Sequence, residues 1–74
     1  MPTAEKMFEK LGYEPTKTII DVFGYTKTGV RFIWFDRYTR QYRCRDLIHD
    51  GMTLSIEEHK AIHQQMKELG WLDE

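Results

Sequence analysis

Apolar and polar residues recur along this chain in two rhythms, and each rhythm predicts a kind of element. Near the start, Met7, Phe8 and Leu11 fall on one helical face behind Thr3, a residue suited to cap a helix. Leu11-Gly12-Tyr13 reads as the stop, because glycine takes the left-handed conformation just past a helix and the next side chain folds back on the last turn. Pro15 reinforces the break by pushing its predecessor away from helical angles. A period of two takes over from Thr18, where Ile20 and Val22 point one way and Ile19, Asp21, Phe23 and Tyr25 the other. Thr26-Lys27-Thr28-Gly29 reads as a hairpin turn. The second strand, Val30 to Asp36, is the most apolar stretch, with Phe32 and Trp34 on one side and Ile33 and Phe35 on the other. Both of its sides therefore want cover. A loop over 37–39 leads to a third strand, Arg40 to Arg45, with Tyr42 and Cys44 on one face and Gln41, Arg43 and Arg45 opposite.

The helical rhythm returns after a turn at Asp50-Gly51 and a short stretch, Met52 to Leu54, that could add a fourth strand. Ser55 and Glu58 have capping-box spacing, in which each side chain satisfies a backbone donor at the helix start. Ile56, His59, Ile62, His63, Met66 and Leu69 then share a face, and Leu69-Gly70-Trp71 ends this helix as Leu11-Gly12-Tyr13 ends the first. The expected fold is a single α+β domain over 1–74: a short N-terminal helix, a three-stranded antiparallel meander and a longer C-terminal helix packed on the sheet. We expect that helix to present Ile56, Ile62, Met66 and Leu69 to Ile20, Val22, Phe32, Trp34, Tyr42 and Cys44. This choice of face keeps Arg31, Arg43 and Arg45 out of the core, where an unpaired charge is costly.

The stretch Ala4-Glu5-Lys6-Met7-Phe8-Glu9-Lys10-Leu11-Gly12-Tyr13 resembles the start of a group of small uncharacterised proteins encoded by phages and prophages of Gram-positive bacteria. The close is similar to that group too, through Glu57, Glu58, Ala61-Ile62, Gln65 and Glu68-Leu69-Gly70-Trp71. The strands between fit the group in outline. The resemblance implies a phage-related origin and a small α+β unit, and it carries over no catalytic residue.

Composition narrows the function classes. The longest apolar run, Phe32 to Phe35, is far short of the roughly twenty residues of a membrane span. The start lacks the basic-then-apolar pattern of a secretory signal, and one cysteine permits no internal disulfide, so a cytoplasmic protein with no membrane association is expected. The eleven basic and twelve acidic side chains nearly cancel but are unevenly placed. Residues 26–46 hold six basic against two acidic side chains, and residues 47–74 two against six.

Within the basic segment, Arg31, Arg37, Arg40, Arg43 and Arg45 stand among aromatic residues, the ingredients of a nucleic-acid surface, where arginine neutralises phosphate and rings stack on bases. Strands are aromatic-rich in any case, and a net charge of −1 argues against general affinity for polyanions. His59 and His63, four apart on one helical face, have the spacing of two metal ligands. A third ligand would have to come from His49, Cys44 or Asp50, and the preferred reading places both histidines half-buried at the edge of the helix's apolar stripe, with no metal expected. Cys44 reads as a small core residue. No nucleophile elbow, phosphate loop or paired-cysteine motif occurs, so neither an enzyme nor a cofactor is expected.

The expected mode of action is therefore contact with another protein or with a second copy, and nucleic-acid binding through residues 30–45 is the alternative. If the C-terminal helix covers Phe32 and Trp34, then Ile19, Phe23, Ile33 and Phe35 form an apolar face rimmed by arginine, the usual anatomy of an interface. The rival arrangement lays Met7, Phe8 and Leu11 of the first helix over that face.

Overall fold

Both helices begin and end as their sequences predict. The computed structural model describes residues 2–49, 51 and 53–72, and of residues 17–19 the backbone alone. Helix α1 (Ala4–Lys10) is capped by Thr3, whose hydroxyl accepts from the Lys6 amide. Helix α2 (Ile56–Glu68) opens with the full Ser55–Glu58 capping box. At the far ends, the Tyr13 amide donates to the Phe8 carbonyl and the Trp71 amide to that of Met66. The glycine before each sits at positive φ, +90° at Gly12 and +75° at Gly70, so the two closures are one motif used twice.

Between the helices lies a four-stranded antiparallel meander in the order β1 (Glu14–Ile19), β2 (Val22–Lys27), β3 (Arg31–Asp36) and β4 (Gln41–Asp46). The expected first strand is thus two strands with a tight turn at Ile20 and Asp21. The fourth strand is β1, not residues 52–54: Thr53 and Leu54 are not in a strand, and Met52 lies outside the described residues. Strand β1 escapes a hydrophobicity pattern because Pro15, Thr16 and Lys17 offer no apolar alternation. Pro15 is tolerated there because an edge strand does not need every N–H.

The register decides which residues share a face. Directly opposed residues of antiparallel strands project to the same side, and Phe35 opposes Tyr42 while Ile33 opposes Cys44. Tyr42 and Cys44 therefore lie with Ile33 and Phe35, whereas Arg43 and Arg45 lie with Trp34 and Phe32. The helices cover the Ile33–Phe35 side. Phe8, Tyr13, Tyr25, Ile33, Phe35, Ala61 and Ile62 form the buried core, with Phe23, Cys44, Met66 and Trp71 packed around it. Phe8 of α1 stacks on Tyr25 at 4.1 Å and meets Phe35 edge-on at 6.5 Å.

This reverses the expected choice of face. Ile33 and Phe35 are fully buried inside the chain and belong to no solvent-facing contact surface, and Phe23 is half-buried against Phe35. The side chain of Ile19, the fourth residue of that expected surface, lies outside the described residues. The rival cover by α1 is the one found, with α2 beside it. Ile56, expected in the core, is 65% exposed. Buried polar contacts tie the layers: the Tyr25 hydroxyl donates to Gln65 Oε1 at 2.6 Å, and the Ala4 amide to Glu68 Oε2 at 2.8 Å. Among the described residues, no helix is long and apolar enough to cross a membrane.

Candidate functional site

With both helices on one side, no element among the described residues covers the other face of the sheet. Its residues form cross-strand rows. Glu14, Thr26, Phe32 and Arg45 make one row. Thr16, Gly24, Trp34 and Arg43 make the next, and Val22, Asp36 and Gln41 follow. Phe32 and Trp34 stack at 5.0 Å with 19° between their planes, in the middle of this face. Trp34 leans over Gly24, where an added Cβ would lie 2.8 Å from Trp34 Cδ1 and 2.2 Å from the Ile33 carbonyl oxygen. Only glycine leaves room for that ring. Trp34 Nε1 and Thr26 Oγ1, in the same patch, are both inaccessible and lack a hydrogen-bond partner among the described residues.

The charged groups of this face differ in how far they are engaged. Asp36 Oδ1 accepts the amides of Tyr38 and Thr39 at 2.9 and 3.1 Å, so its charge is used to hold the β3–β4 turn. Arg43, Arg45 and Glu14 are exposed and make no side-chain hydrogen bond or ion pair among the described residues. The remaining arginines of the expected nucleic-acid set stand elsewhere. Arg37 lies over the Phe23 ring at 4.7 Å, and Arg40 Nη2 donates to the Trp71 carbonyl at 3.1 Å. The structure brings two of the five, Arg43 and Arg45, together beside the aromatic pair.

Arg31 projects to the helix side and centres a polar corner that the sequence reading missed. Its guanidinium reaches Asp46 Oδ2 at 2.9 Å, Glu58 Oε2 at 3.0 Å, the Tyr13 hydroxyl at 3.2 Å and the Thr53 carbonyl at 2.9 Å. The Tyr13 hydroxyl in turn donates to Glu58. Arginine was expected to avoid the helix-covered face because an unpaired charge is costly there, and here two carboxylates remove that objection. Burial alone would push the Glu58 carboxyl up. Hydrogen bonds from the Ser55 amide, Tyr13 and Arg31 outweigh it and leave the carboxyl below its usual range. Asp46 is held low by the amides of His49 and Ile48. Burial raises Tyr13 to about 12, with Arg31 pulling down and Glu58 pushing up. The corner anchors the start of α2 to β3 and β4.

Asp50 lies outside the described residues, and among those described the other candidates do not assemble a reactive set. The rings of His59 and His63 lie 6.5 Å apart on α2, and His49 is engaged with Asp46 at 3.0 Å. Among the described residues, no three His, Cys, Asp or Glu side chains come together as a metal site would require. Cys44 is half-buried on the helix side, and burial pushes its thiol up, towards the unreactive neutral form. An open groove beside α1 is lined by Thr3, Glu5, Phe23, Tyr25, Arg37 and Glu68. The chain matches no family model, no curated protein and no solved structure.

Proposed function

We propose that this protein is a non-catalytic binding module that acts through protein–protein contact, and that its contact surface is the outer sheet face around Phe32 and Trp34. The observation that supports this reading is the stacked Phe32–Trp34 pair on a face that neither helix covers, with Arg43 and Arg45, which have no side-chain partner among the described residues, directly across from it. Tryptophan and arginine are the residue types that most often dominate binding energy at protein interfaces. The phage or prophage accessory role implied by the resemblance at the two chain ends, and a place in the host cytoplasm, belong to the same proposal.

A second reading follows from the same residues: single-stranded nucleic acid could stack on the rings and pair phosphates with the two arginines. The count of charges favours protein. Each phosphate contact to a single strand contributes a salt slope of about −0.7, so two give about −1.4, a weak electrostatic grip. Arg31, Arg37 and Arg40 are committed elsewhere and add little to it.

The test is retention from extracts of the source cells on wild-type protein and on Trp34→Ala, with circular dichroism confirming that the variant is folded. A protein held by the wild type and lost from Trp34→Ala is the expected result. Equal retention by both would remove the outer face from the account. Steeply salt-dependent binding of labelled oligonucleotides, lost on replacing Arg43 and Arg45, would favour the second reading.

A further inference from the structure

On the outer face Glu14 stands on the β1 edge and Arg43 and Arg45 on the β4 edge, while Asp36, on β3 between them, is engaged with the turn amides of Tyr38 and Thr39. Glu14 projects from β1 at one edge and Arg45 from β4 at the other, and both stand in a single row, Glu14–Thr26–Phe32–Arg45. Three strand spacings of roughly 4.8 Å separate them, about 14 Å, too far to pair within one chain. Between them lies the aromatic pair. A row with opposite charges at its ends and an apolar middle is complementary to its own reverse.

Resting on the protein-contact reading, we infer that the occupant of the outer face is a second copy of this chain, packed face to face about a two-fold axis parallel to the strands. That axis keeps each row in register and reverses the strand order, so β4 of one copy lies over β1 of the other. Arg45 then meets the partner's Glu14, and Glu14 the partner's Arg45, once each per copy, as an isologous interface requires. Phe32 and Trp34 come over the partner's β2, whose residues in those rows, Thr26 and Gly24, are small. The strands of the two sheets stay roughly aligned, the usual geometry when sheets pack face to face.

The competing symmetric arrangements put like charges together. A two-fold axis across the strands lays β4 over β4 and Arg43 against Arg43. Pairing two β4 edges into one continuous sheet sets Arg43 and Arg45 beside the same pair from the other copy. Opposed like charges cost stability in sheets and help reject wrong partners at interfaces. A face four strands wide and six residues long covers on the order of 400 Å² per copy. Standard interfaces bury about 800 Å² per partner, so the dimer should be reversible and concentration-dependent.

Sedimentation equilibrium across a wide concentration range tests this on the intact chain. Wild type should pass from monomer to dimer as concentration rises. Glu14→Lys and Arg45→Glu, both at exposed positions, should each weaken the dimer about tenfold or more. An equimolar mixture of the two variants should recover wild-type association, because the mixed dimer restores both pairs with opposite charge. A wild type that stays monomeric at the highest concentration overturns the inference, as does a dimer indifferent to both substitutions or a mixture that recovers nothing. Binding of an oligonucleotide or of another protein by a strictly monomeric wild type also overturns it. In the last case, loss of that protein from Trp34→Ala would leave the proposed contact face standing.

Discussion

Phe35→Ala separates the two sheet faces by their energetics. Phe35 is fully buried and its ring is surrounded by others: Phe23 stacked at 5.5 Å, Tyr42 at 6.1 Å, Trp71 at 6.2 Å, Tyr25 at 6.4 Å and Phe8 at 6.5 Å. Truncating a buried phenylalanine to alanine costs about 3–5 kcal/mol, the sum of lost transfer energy and the cavity left behind. A single core in a chain of this size supplies roughly 3–5 kcal/mol in total. The two magnitudes nearly cancel, so a large fraction of Phe35→Ala, on the order of half, should be unfolded at room temperature even without urea. Trp34→Ala provides the contrast. It loses the stack on Phe32 and the cover over Gly24 but no helix contact, and about 1 kcal/mol is the expected cost. Urea unfolding followed by far-ultraviolet circular dichroism measures both on one scale. A Phe35→Ala variant with a near-native midpoint, or a Trp34→Ala variant destabilised more than Phe35→Ala, would refute the assignment of inner and outer faces.

Three smaller perturbations probe the supporting structure. Ser55→Ala removes the acceptor for the Glu58 amide and should cost about 1 kcal/mol, read as a lower urea midpoint at unchanged slope. Gly24→Ala places a methyl group against the Ile33 carbonyl and the Cα of Trp34, and overpacking of this kind costs about 1–3 kcal/mol; a thermal midpoint equal to wild type would show that Trp34 does not lean there. Acid should destabilise the fold through Glu58. Its folded pKa lies below the usual 4.5, so the unfolded chain binds the proton first, and stability present above that value falls as pH drops through the folded one. Glu58→Gln should flatten that part of the pH–stability profile, and an unchanged profile would place the acid sensitivity elsewhere.

The parts of the fold that were legible in the sequence are those written in local signals. Thr3, the Ser55–Glu58 box and the two glycine closures each depend on residues within a few positions of one another, and all are found as read. The hairpin at Thr28-Gly29 is local too. Strand β1 was missed because Pro15 to Lys17 carry no hydrophobic alternation, and only pairing with β2 makes them a strand. The faces were misassigned for a different reason. Strand β3 is apolar on both sides, so its period of two marks two candidate faces and cannot rank them. The cost of burying an unpaired Arg31 favours the wrong face, and that cost vanishes once Asp46 and Glu58, distant in sequence, meet the guanidinium. The side on which Tyr42 and Cys44 lie depends on the β3–β4 register, which alternation within β4 does not specify. The arginine and aromatic ingredients of the candidate surface were visible, whereas their division between Arg43 and Arg45 on the open face and Arg31, Arg37 and Arg40 elsewhere required the turn geometry.

The most direct measurement is a nuclear Overhauser map of the aromatic rings. The account predicts cross-peaks from the Phe8 ring to Tyr25 and Phe35, from Phe35 to Trp71, and from Trp34 to Phe32 and the Gly24 α-protons. It predicts none between the Trp34 indole and any residue of α1 or α2. Cross-peaks joining Trp34 to Phe8, Ile62 or Met66 would place a helix over the outer face and contradict the proposed contact surface.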